Sequence, residues 1–206
     1  MTMIDLPLLN TIKGFMDEAE ALRLFDLARQ ASLLGPLLEI GSYCGRSAAV
    51  MGTACKINNG ILYSLDHHQG SEEQQPGEEY FDPDLFDPRT QGINTFPFFR
   101  ETLKKTGLEE TVIPIVSTSL ATGKMWKTPL SMVFIDGGHS FEAAWNDFLI
   151  WSPHILKNGF LVFHDIFLDP EKGGQAPRQV YEKAIATGAY TVLEMTQTLG
   201  VLQQKL

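Results

Sequence analysis

Short apolar runs alternate along this chain with longer stretches whose apolar residues recur at helical spacing. Apolar runs bounded by glycine, proline or polar residues are typical of buried strands, and apolar positions every three or four residues are typical of helices. The predicted strands are Leu37–Ile40, Ile61–Leu65, Val112–Val116, Met132–Ile135 and Phe160–Phe163. The predicted helices are Asp17–Leu34, Ser47–Ile57, Thr95–Lys105, Ser140–Trp151 and Gln179–Ala186. Strands that alternate with helices predict a parallel sheet covered on both faces.

The last stretch of the chain departs from this alternation. Tyr190–Met195 and Val201–Gln204 are strand-like runs joined by a few residues that include Gly200, which predicts a hairpin with an antiparallel last strand. Dinucleotide-binding folds do not usually end in this way. We therefore predict an α/β fold, a Rossmann-like doubly wound and mostly parallel seven-stranded sheet with an antiparallel C-terminal hairpin strand. The length of 206 residues suits a single domain over 1–206, with an N-terminal helical segment over about 1–35.

One long segment, about 67–94, is too rich in glycine, proline and acidic residues for regular structure. From Asp66 to Arg89 there are eight acidic residues and one basic residue. A loop of this length inside a compact domain is usually a functional lid or a disordered segment. Its two Phe-Asp-Pro repeats supply aromatic rings that can pack. We predict an acidic, lid-like insertion that faces the substrate, and the alternative is a solvated insertion.

Composition narrows the classes of partner. The net charge of −9 disfavours nucleic acid and anionic membranes, because both are bound through clustered positive charge. The sequence has no apolar run near the ~20 residues of a membrane span, and its start lacks the basic-then-apolar pattern of a signal peptide. We predict a cytoplasmic protein with a small-molecule partner, and the sequence leaves a homo-oligomer open. Cys44 and Cys55 match no zinc spacing, so we expect two reduced, partly buried thiols.

Polar residues gather where the predicted strands end. In an open parallel sheet, ligands bind at the carboxyl ends of the strands. Four of the five histidines of the chain lie at such ends, beside carboxylates, which favours a ligand site over satisfied structural residues. The residues that follow the five strands are, in order, Glu39 to Ser47; Asp66, His67 and His68; Ser117, Thr118 and Ser119; Asp136, Gly137, Gly138 and His139; and His164 and Asp165.

The turn after the first strand has features of an anion-binding turn. Gly41 and Gly45 suit a backbone that bends sharply or approaches a ligand, and the N-terminus of the following helix favours a carboxylate or phosphate. Their G-x-x-x-G spacing differs from the dinucleotide fingerprint G-x-G-x-x-G, and a tight turn without a ligand explains it equally well. Asp66, at the end of the second strand, is placed to bind ribose hydroxyls, which indicates an adenosine nucleoside.

Two regions carry a family resemblance. The stretch LLEIGSYCGRSAAVM closely resembles the S-adenosylmethionine (SAM) motif of catechol O-methyltransferases. The stretches FIDGGHSFEAAWND and NGFLVFHD resemble a bacterial group that includes macrocin O-methyltransferases and cephalosporin-hydroxylase-type proteins. The resemblance runs from about Phe15 to the terminal hairpin and implies a class I SAM-dependent methyltransferase. It implies the cofactor-binding residues Glu39, Gly41, Ser42, Tyr43, Gly45, Ser47, Asp66, Ser117, Thr118, Ser119 and Asp136.

The resemblance also distributes these residues over the parts of SAM. The first turn would line the methionine part, with Tyr43 and Ser47 near its carboxylate. Asp66 would hold the ribose, and residues 117–119 would border the adenine.

A metal site and a base follow from the same resemblance. Asp136, His164 and Asp165 take the positions of ligands to a divalent metal, Mg²⁺ or Mn²⁺, and Asp136 and His139 are the catalytic residues, with His139 as the base. His164 departs from the family pattern, because Mg²⁺ prefers oxygen ligands whereas imidazole suits other ions. A different metal, a histidine that binds no metal, and a site without metal all stay open. The structural alternative is that Asp136 caps the helix near Ser140.

These observations predict a SAM-dependent methyltransferase that acts on a hydroxyl group of a small molecule, with a divalent metal as an open question. A non-catalytic SAM-binding protein is the first alternative. A nucleotide-dependent oxidoreductase is the second, and the missing dinucleotide fingerprint and the terminal hairpin count against it.

Overall fold

The computed structural model describes residues 4–138 and 140–206. One sheet of seven strands runs through them, with helices on both faces. The strands of this sheet are β1 (Leu37–Ile40), β2 (Leu62–Asp66), β3 (Val112–Val116), β4 (Leu130–Ile135), β5 (Ile155–Phe163), β6 (Tyr190–Val192) and β7 (Gly200–Gln204). A separate antiparallel pair, Phe86–Asp87 with Gly92–Ile93, lies in the segment 67–94, for which the prediction of no regular structure was therefore wrong. The helices are α1 (Leu6–Leu9), α2 (Glu18–Ala31), α3 (Arg46–Ile57), α4 (Phe96–Thr106), α5 (Ser119–Gly123), α6 (Phe141–Trp151) and α7 (Ala176–Ala186).

The strand order across the sheet is β3-β2-β1-β4-β5-β7-β6. The first five of these strands are parallel to one another, and β7 pairs antiparallel with both β5 and β6. The predicted fold class is therefore confirmed, including the antiparallel hairpin at the end. The direction in which the chain adds strands reverses beside β1: β2 lies on one side of β1 and β4 on the other. Such a topological switch point forms a crevice in which ligands can bind.

Two apolar layers hold the helices to the sheet. One layer joins α2, α3 and α4 to the first face, and the other joins α6 and α7 to the opposite face. Strands β1 and β4 are buried along their whole length, which explains why both are mostly apolar, with Glu39 and Ser131 as their polar residues. Cys44 and Cys55 are buried and unpaired, as the sequence predicts. No helix in the described part of the chain is both long and apolar enough to cross a membrane.

The boundaries of several elements differ from the predicted ones. Strand β5 begins at Ile155, five residues before the predicted start, because Ile155 pairs with Leu130 of β4 across a register shift. Helix α2 begins after Asp17, which caps it as predicted and forms a capping box with Glu20. Strand β3 lies at one edge of the sheet, so it pairs with β2 on one side only. It contains a proline, Pro114.

Candidate active site

Backbone pairing brings the predicted strand-end residues into one row. The amides of Gly41, Asp136 and His164 each donate to a carbonyl of the neighbouring strand, at 3.0, 2.9 and 3.1 Å. On the other side of β1, the amide of Ser117 donates to the carbonyl of Asp66 at 3.1 Å. Each ladder therefore continues one residue past the strand, and the side chains that follow the strands stand next to one another.

A cavity of about 920 Å³ opens over this row. Its wall includes most of the predicted site residues, together with parts of the N-terminal segment, the insertion and the loop after β5. The predicted residues that line it are Gly41, Ser42, Tyr43, Ser47, Asp66, Ser117, Thr118, Ser119, Asp136, His164 and Asp165. His139 lies outside the described residues.

Gly41 is the point at which two strand ends come closest. Its φ is +88°, in the region that favours glycine, and a Cβ added there would lie 2.1 Å from the carbonyl oxygen of Asp136. Only glycine therefore lets β1 turn toward α3 while β4 ends beside it. Gly41 itself lines the cavity.

Asp66 holds the same turn in place from the neighbouring strand. Its Oδ2 accepts the amides of Ser42 and Tyr43 at 2.8 and 2.9 Å, and its Oδ1 accepts the amide of His68 at 2.6 Å. The sequence predicts a ribose contact for Asp66, and that contact stays a prediction. The structure adds a second role, because this carboxylate orders the first turn and the start of the insertion together.

Glu39 and Gly45, also assigned to the cofactor by the resemblance, lie behind the cavity wall. Glu39 is fully buried, and its carboxyl oxygens accept hydrogen bonds from the hydroxyls of Ser64 and of Ser47, the latter at 2.9 Å. Gly45 has φ +91° and packs against α4 as it begins α3. Both residues therefore support the turn from below. Burial raises the pKa of Glu39 to about 8, although the two serine hydroxyls act in the opposite direction.

The raised pKa of Glu39 predicts a pH-dependent stability. Its contribution is fully present below the ordinary glutamate pKa and is lost as pH rises through about 8, because the buried carboxyl group must then ionise. We expect Glu39→Gln, a neutral isostere, to remove this slope of up to about 1.4 kcal/mol per pH unit. Chemical denaturation from pH 5 to 9 measures it, with the exposed Glu110→Gln as control. Equal slopes for wild type and Glu39→Gln would contradict the assignment.

His164 and Glu20 form a buried pair beside Asp136. The Nδ1 atom of His164 lies 3.0 Å from Asp136 Oδ1 and 3.5 Å from Asp165 Oδ1, and its Nε2 atom lies 3.1 Å from Glu20 Oε2. Burial alone would lower the pKa of His164, but the Asp136 and Glu20 carboxylates raise it to about 11. Burial would raise the pKa of Glu20, but His164 and Thr198 lower it to about 2. The sequence gives no sign of Glu20 as a site residue, because it reads as an ordinary capping glutamate of α2.

The predicted metal ligands do come together. Asp136, His164 and Asp165 each offer a ligand atom, and these atoms lie within 4.8 Å of one another. The oxygens of Asp136 and Asp165 suit a hard cation, but both ring nitrogens of His164 already face carboxylates. The metal site therefore stays a prediction.

The predicted adenine region contains a polar chain that the sequence did not reveal. Thr118 caps α5, and Ser119 accepts a hydrogen bond from Trp151 Nε1 at 2.7 Å. Asp147 of α6 is buried in the same wall of the cavity. Burial raises its pKa to about 6, although a hydrogen bond with Ser119 acts in the opposite direction. The only indication of this role in the sequence of α6 is an aspartate, Asp147, directly before the apolar residues Phe148 to Trp151.

The insertion covers part of the cavity and is tied to the N-terminal segment. Lys13 Nζ lies 2.5 Å from Asp82 Oδ2 and 2.9 Å from Asp84 Oδ2. The Phe15 ring packs between Tyr43 of the first turn and Tyr80 of the insertion, at centroid distances of 5.7 and 5.6 Å. These contacts place the insertion at the cavity, and its action as a lid stays a prediction.

Comparisons with known proteins identify the family and the fold of the chain. A sequence profile described as a methyltransferase domain matches residues 38–166. An uncharacterized protein of Acanthamoeba polyphaga mimivirus, R132, is 27% identical over 128 residues, which are 62% of this chain and 50% of that protein. The chain thus spans about half the length of this relative.

Solved structures share the fold at low sequence identity. A methyltransferase of Podospora anserina, PaMTH1, solved with S-adenosylhomocysteine (SAH), has a TM-score of 0.65 at 15% identity, covering 93% of this chain and 80% of its own. An O-methyltransferase of Bacillus cereus, also solved with SAH, has a TM-score of 0.64 at 14% identity, covering 97% and 88%. The profile match and the shared architecture show that the chain belongs to the methyltransferase-domain family, within the class I SAM-dependent methyltransferases.

Proposed function

We propose that the protein transfers a methyl group from SAM to a hydroxyl oxygen of a small molecule. The observation that carries this proposal is the continuous cavity that joins the first turn, Asp66 and Asp136 at the carboxyl ends of the strands. A cofactor in the first part of this cavity and an acceptor beside Asp136 would be neighbours. O-methyltransferases with the same fold support the choice of oxygen as nucleophile.

The cofactor-binding residues are proposed from their places in the wall. The backbone of Gly41 to Ser47 begins α3, and the first amides of a helix attract a carboxylate such as that of the methionine part. Asp66 would accept a ribose hydroxyl at Oδ1, where its three backbone contacts leave one lone pair. Ser117, Thr118 and Ser119 would border the adenine.

SAM supplies a methyl group bound to a positively charged sulfur. The acceptor oxygen forms a bond to the methyl carbon as the carbon–sulfur bond breaks, the sulfur keeps the bonding electrons, and SAH leaves. The acceptor hydroxyl loses its proton, and we propose His139 as the base that takes it, since an imidazole accepts a proton near neutral pH. Gly137 and Gly138 line the cavity without side chains, so an acceptor can approach closely.

Calorimetry with SAH, SAM and NAD tests the cofactor, and a methylation assay over hydroxyl-bearing small molecules tests the reaction. We expect SAM and SAH to bind and NAD not to bind. Binding of SAM without turnover on any acceptor would favour the non-catalytic alternative. Tight binding of NAD with no response to SAM would contradict the proposal.

Asp66→Ala is expected to weaken SAH binding by about 1–3 kcal/mol, because amides of the first turn lose their acceptor and the ribose loses its partner. Asp66→Asn is the matched variant, since its single amide oxygen can keep one of the two sets of backbone contacts. Calorimetry should therefore rank the affinities as wild type, Asn, Ala. An Ala variant that binds SAH like wild type would contradict the ribose contact of Asp66.

A further inference from the structure

One wall of the cavity combines apolar side chains with a buried carboxylate. Near the end of β3 the cavity is bounded on one side by residues 117–120 and on the other by one face of α6, which consists of Ala143, Asn146, Asp147 and Ile150. Asp147 is only 5% exposed. In ligand pockets, apolar side chains provide most of the contact area and a few polar groups fix the orientation and the specificity. Asp147 is therefore placed to determine specificity.

Two side chains hold the carboxylate of Asp147 in place. Trp151 Nε1 donates to Ser119 Oγ at 2.7 Å, so the hydroxyl hydrogen of Ser119 is left to donate to Asp147. The Trp151 ring is fully buried and packs edge-on against Trp126 at a centroid distance of 5.2 Å. The carboxylate therefore has a rigid support at the cavity.

One oxygen of Asp147 lies beside the end of β4. A Cβ added at Gly137 would lie 3.4 Å from Asp147 Oδ2, and Gly137 lines the cavity without a side chain that could cover this oxygen. An ionised carboxylate has about four lone-pair sites, and its burial is costly unless hydrogen-bond donors fill them. Ser119 supplies one donor. A ligand that presents another donor at this place is therefore favoured.

The proposed binding mode of the cofactor brings its base to this wall. The methionine part would lie at the turn after β1 and the ribose at Asp66 after β2, and β3 is the next strand outward in the sheet. The base would then lie between residues 117–119 and α6. Adenine presents an exocyclic amine, which donates hydrogen bonds, whereas a 6-oxopurine presents a carbonyl oxygen at the same position, which only accepts them. A carboxylate favours the first base and repels the second.

We propose that Asp147 accepts a hydrogen bond from the exocyclic amine of adenine and so determines the preference of the cofactor site for adenine over a 6-oxopurine. Ser119 and Trp151 are then positioning residues that act through Asp147. The inference rests on the proposed function, since it adds a residue of α6 to the cofactor site. Asp147 does not follow a strand, so the rule that ligands bind at strand ends does not identify it.

The first test compares two ligands of the wild-type protein by calorimetry at pH 8, above the pKa of about 6, where Asp147 is ionised. SAH carries the exocyclic amine, and S-inosylhomocysteine carries an oxygen in its place. We expect SAH to bind about 10–100-fold more tightly, because the oxygen would leave the buried carboxylate without its donor. Equal affinities for the two ligands would overturn the proposal.

Asp147→Asn tests the residue itself. The amide oxygen can keep the contact with Ser119, and the amide nitrogen can donate to the oxygen of S-inosylhomocysteine. The ratio of the two affinities should therefore fall to about one or reverse, whereas a merely structural role would weaken both ligands equally. Asp66→Asn is the matched control, because the ribose is the same in both ligands and the ratio should stay that of wild type. A wild-type ratio in Asp147→Asn would overturn the proposal.

Asp147→Ser takes the place of Asp147→Asn if the latter does not fold. Its hydroxyl both donates and accepts, so the ratio should again approach one, and a wild-type ratio would count against the role of Asp147. If neither variant folds, the wild-type comparison decides. Failure of SAH itself to bind would contradict the proposed function, whereas tight SAH binding without discrimination between the two bases would contradict the role of Asp147 alone.

Discussion

Gly41→Ala is expected to abolish SAH binding and to destabilise the protein by about 2–5 kcal/mol. A left-handed backbone costs an alanine about 1–2 kcal/mol, and overpacking adds about 1–3 kcal/mol. The overpacking is with backbone, since the new Cβ would lie 2.1 Å from the carbonyl oxygen of Asp136 and 2.8 Å from the Cα of Gly137. Relief requires β1 and β4 to separate at their ends, which is where the cavity is formed.

Gly188→Ala is the matched control for this substitution. Gly188 has φ +75°, and a Cβ added there meets nothing within 4 Å. It should therefore show only the conformational cost, about 1–2 kcal/mol, and unchanged SAH affinity. Urea denaturation and calorimetry compare the two variants. Equal losses of stability would mean that the contact between the strand ends is not what makes glycine necessary at position 41.

Replacing His139 by alanine is expected to lower turnover by about 10²–10⁴-fold, the usual contribution of a general base. The affinity for SAH should stay close to that of wild type, because the proton is accepted in the transition state and not on binding the cofactor. The measurement is a turnover number with an acceptor found by screening, together with calorimetry for SAH.

The control for this variant is His154→Ala. His154 lies in the turn before β5, at the end of the sheet opposite the cavity, so its replacement should change neither turnover nor affinity. A pH–rate profile adds a second criterion, since loss of the base should remove the rise of the rate through the histidine range. An unaltered turnover number in His139→Ala would assign proton removal to another group.

Most of the fold was predictable because buried parallel strands can be recognised in the sequence as mostly apolar runs. The five parallel strands were found in this way, and most of the residues predicted at their ends line one cavity at the carboxyl end of the sheet. The start of β5 was missed because Lys157, Asn158 and Gly159 have no apolar pattern. Pairing with β4, and not local propensity, extends the strand through them.

The support of the site was not predictable in the same way. Glu20 and His164 are 144 positions apart, so no local pattern connects them. Glu39 carries the sequence signature of a cofactor contact, yet it is buried under the turn among serine hydroxyls. Such roles depend on which side chains the tertiary fold brings together, and a strand-end rule indicates only the residues that face the ligand.

The proline in the edge strand β3 bears on how copies of the protein can associate. Ser117 donates its amide to β2, and alternate residues of a strand face the same side, so the nitrogen of Pro114 faces outward. Without a hydrogen at that nitrogen, an added strand loses a ladder bond in the middle of a five-residue edge. Without this proline, the exposed side chains of Ile113 and Val116 would favour pairing of this edge with a strand of another copy. Strand-to-strand aggregation is thus opposed at β3, and any homo-oligomer should use helix faces instead of extending the sheet there.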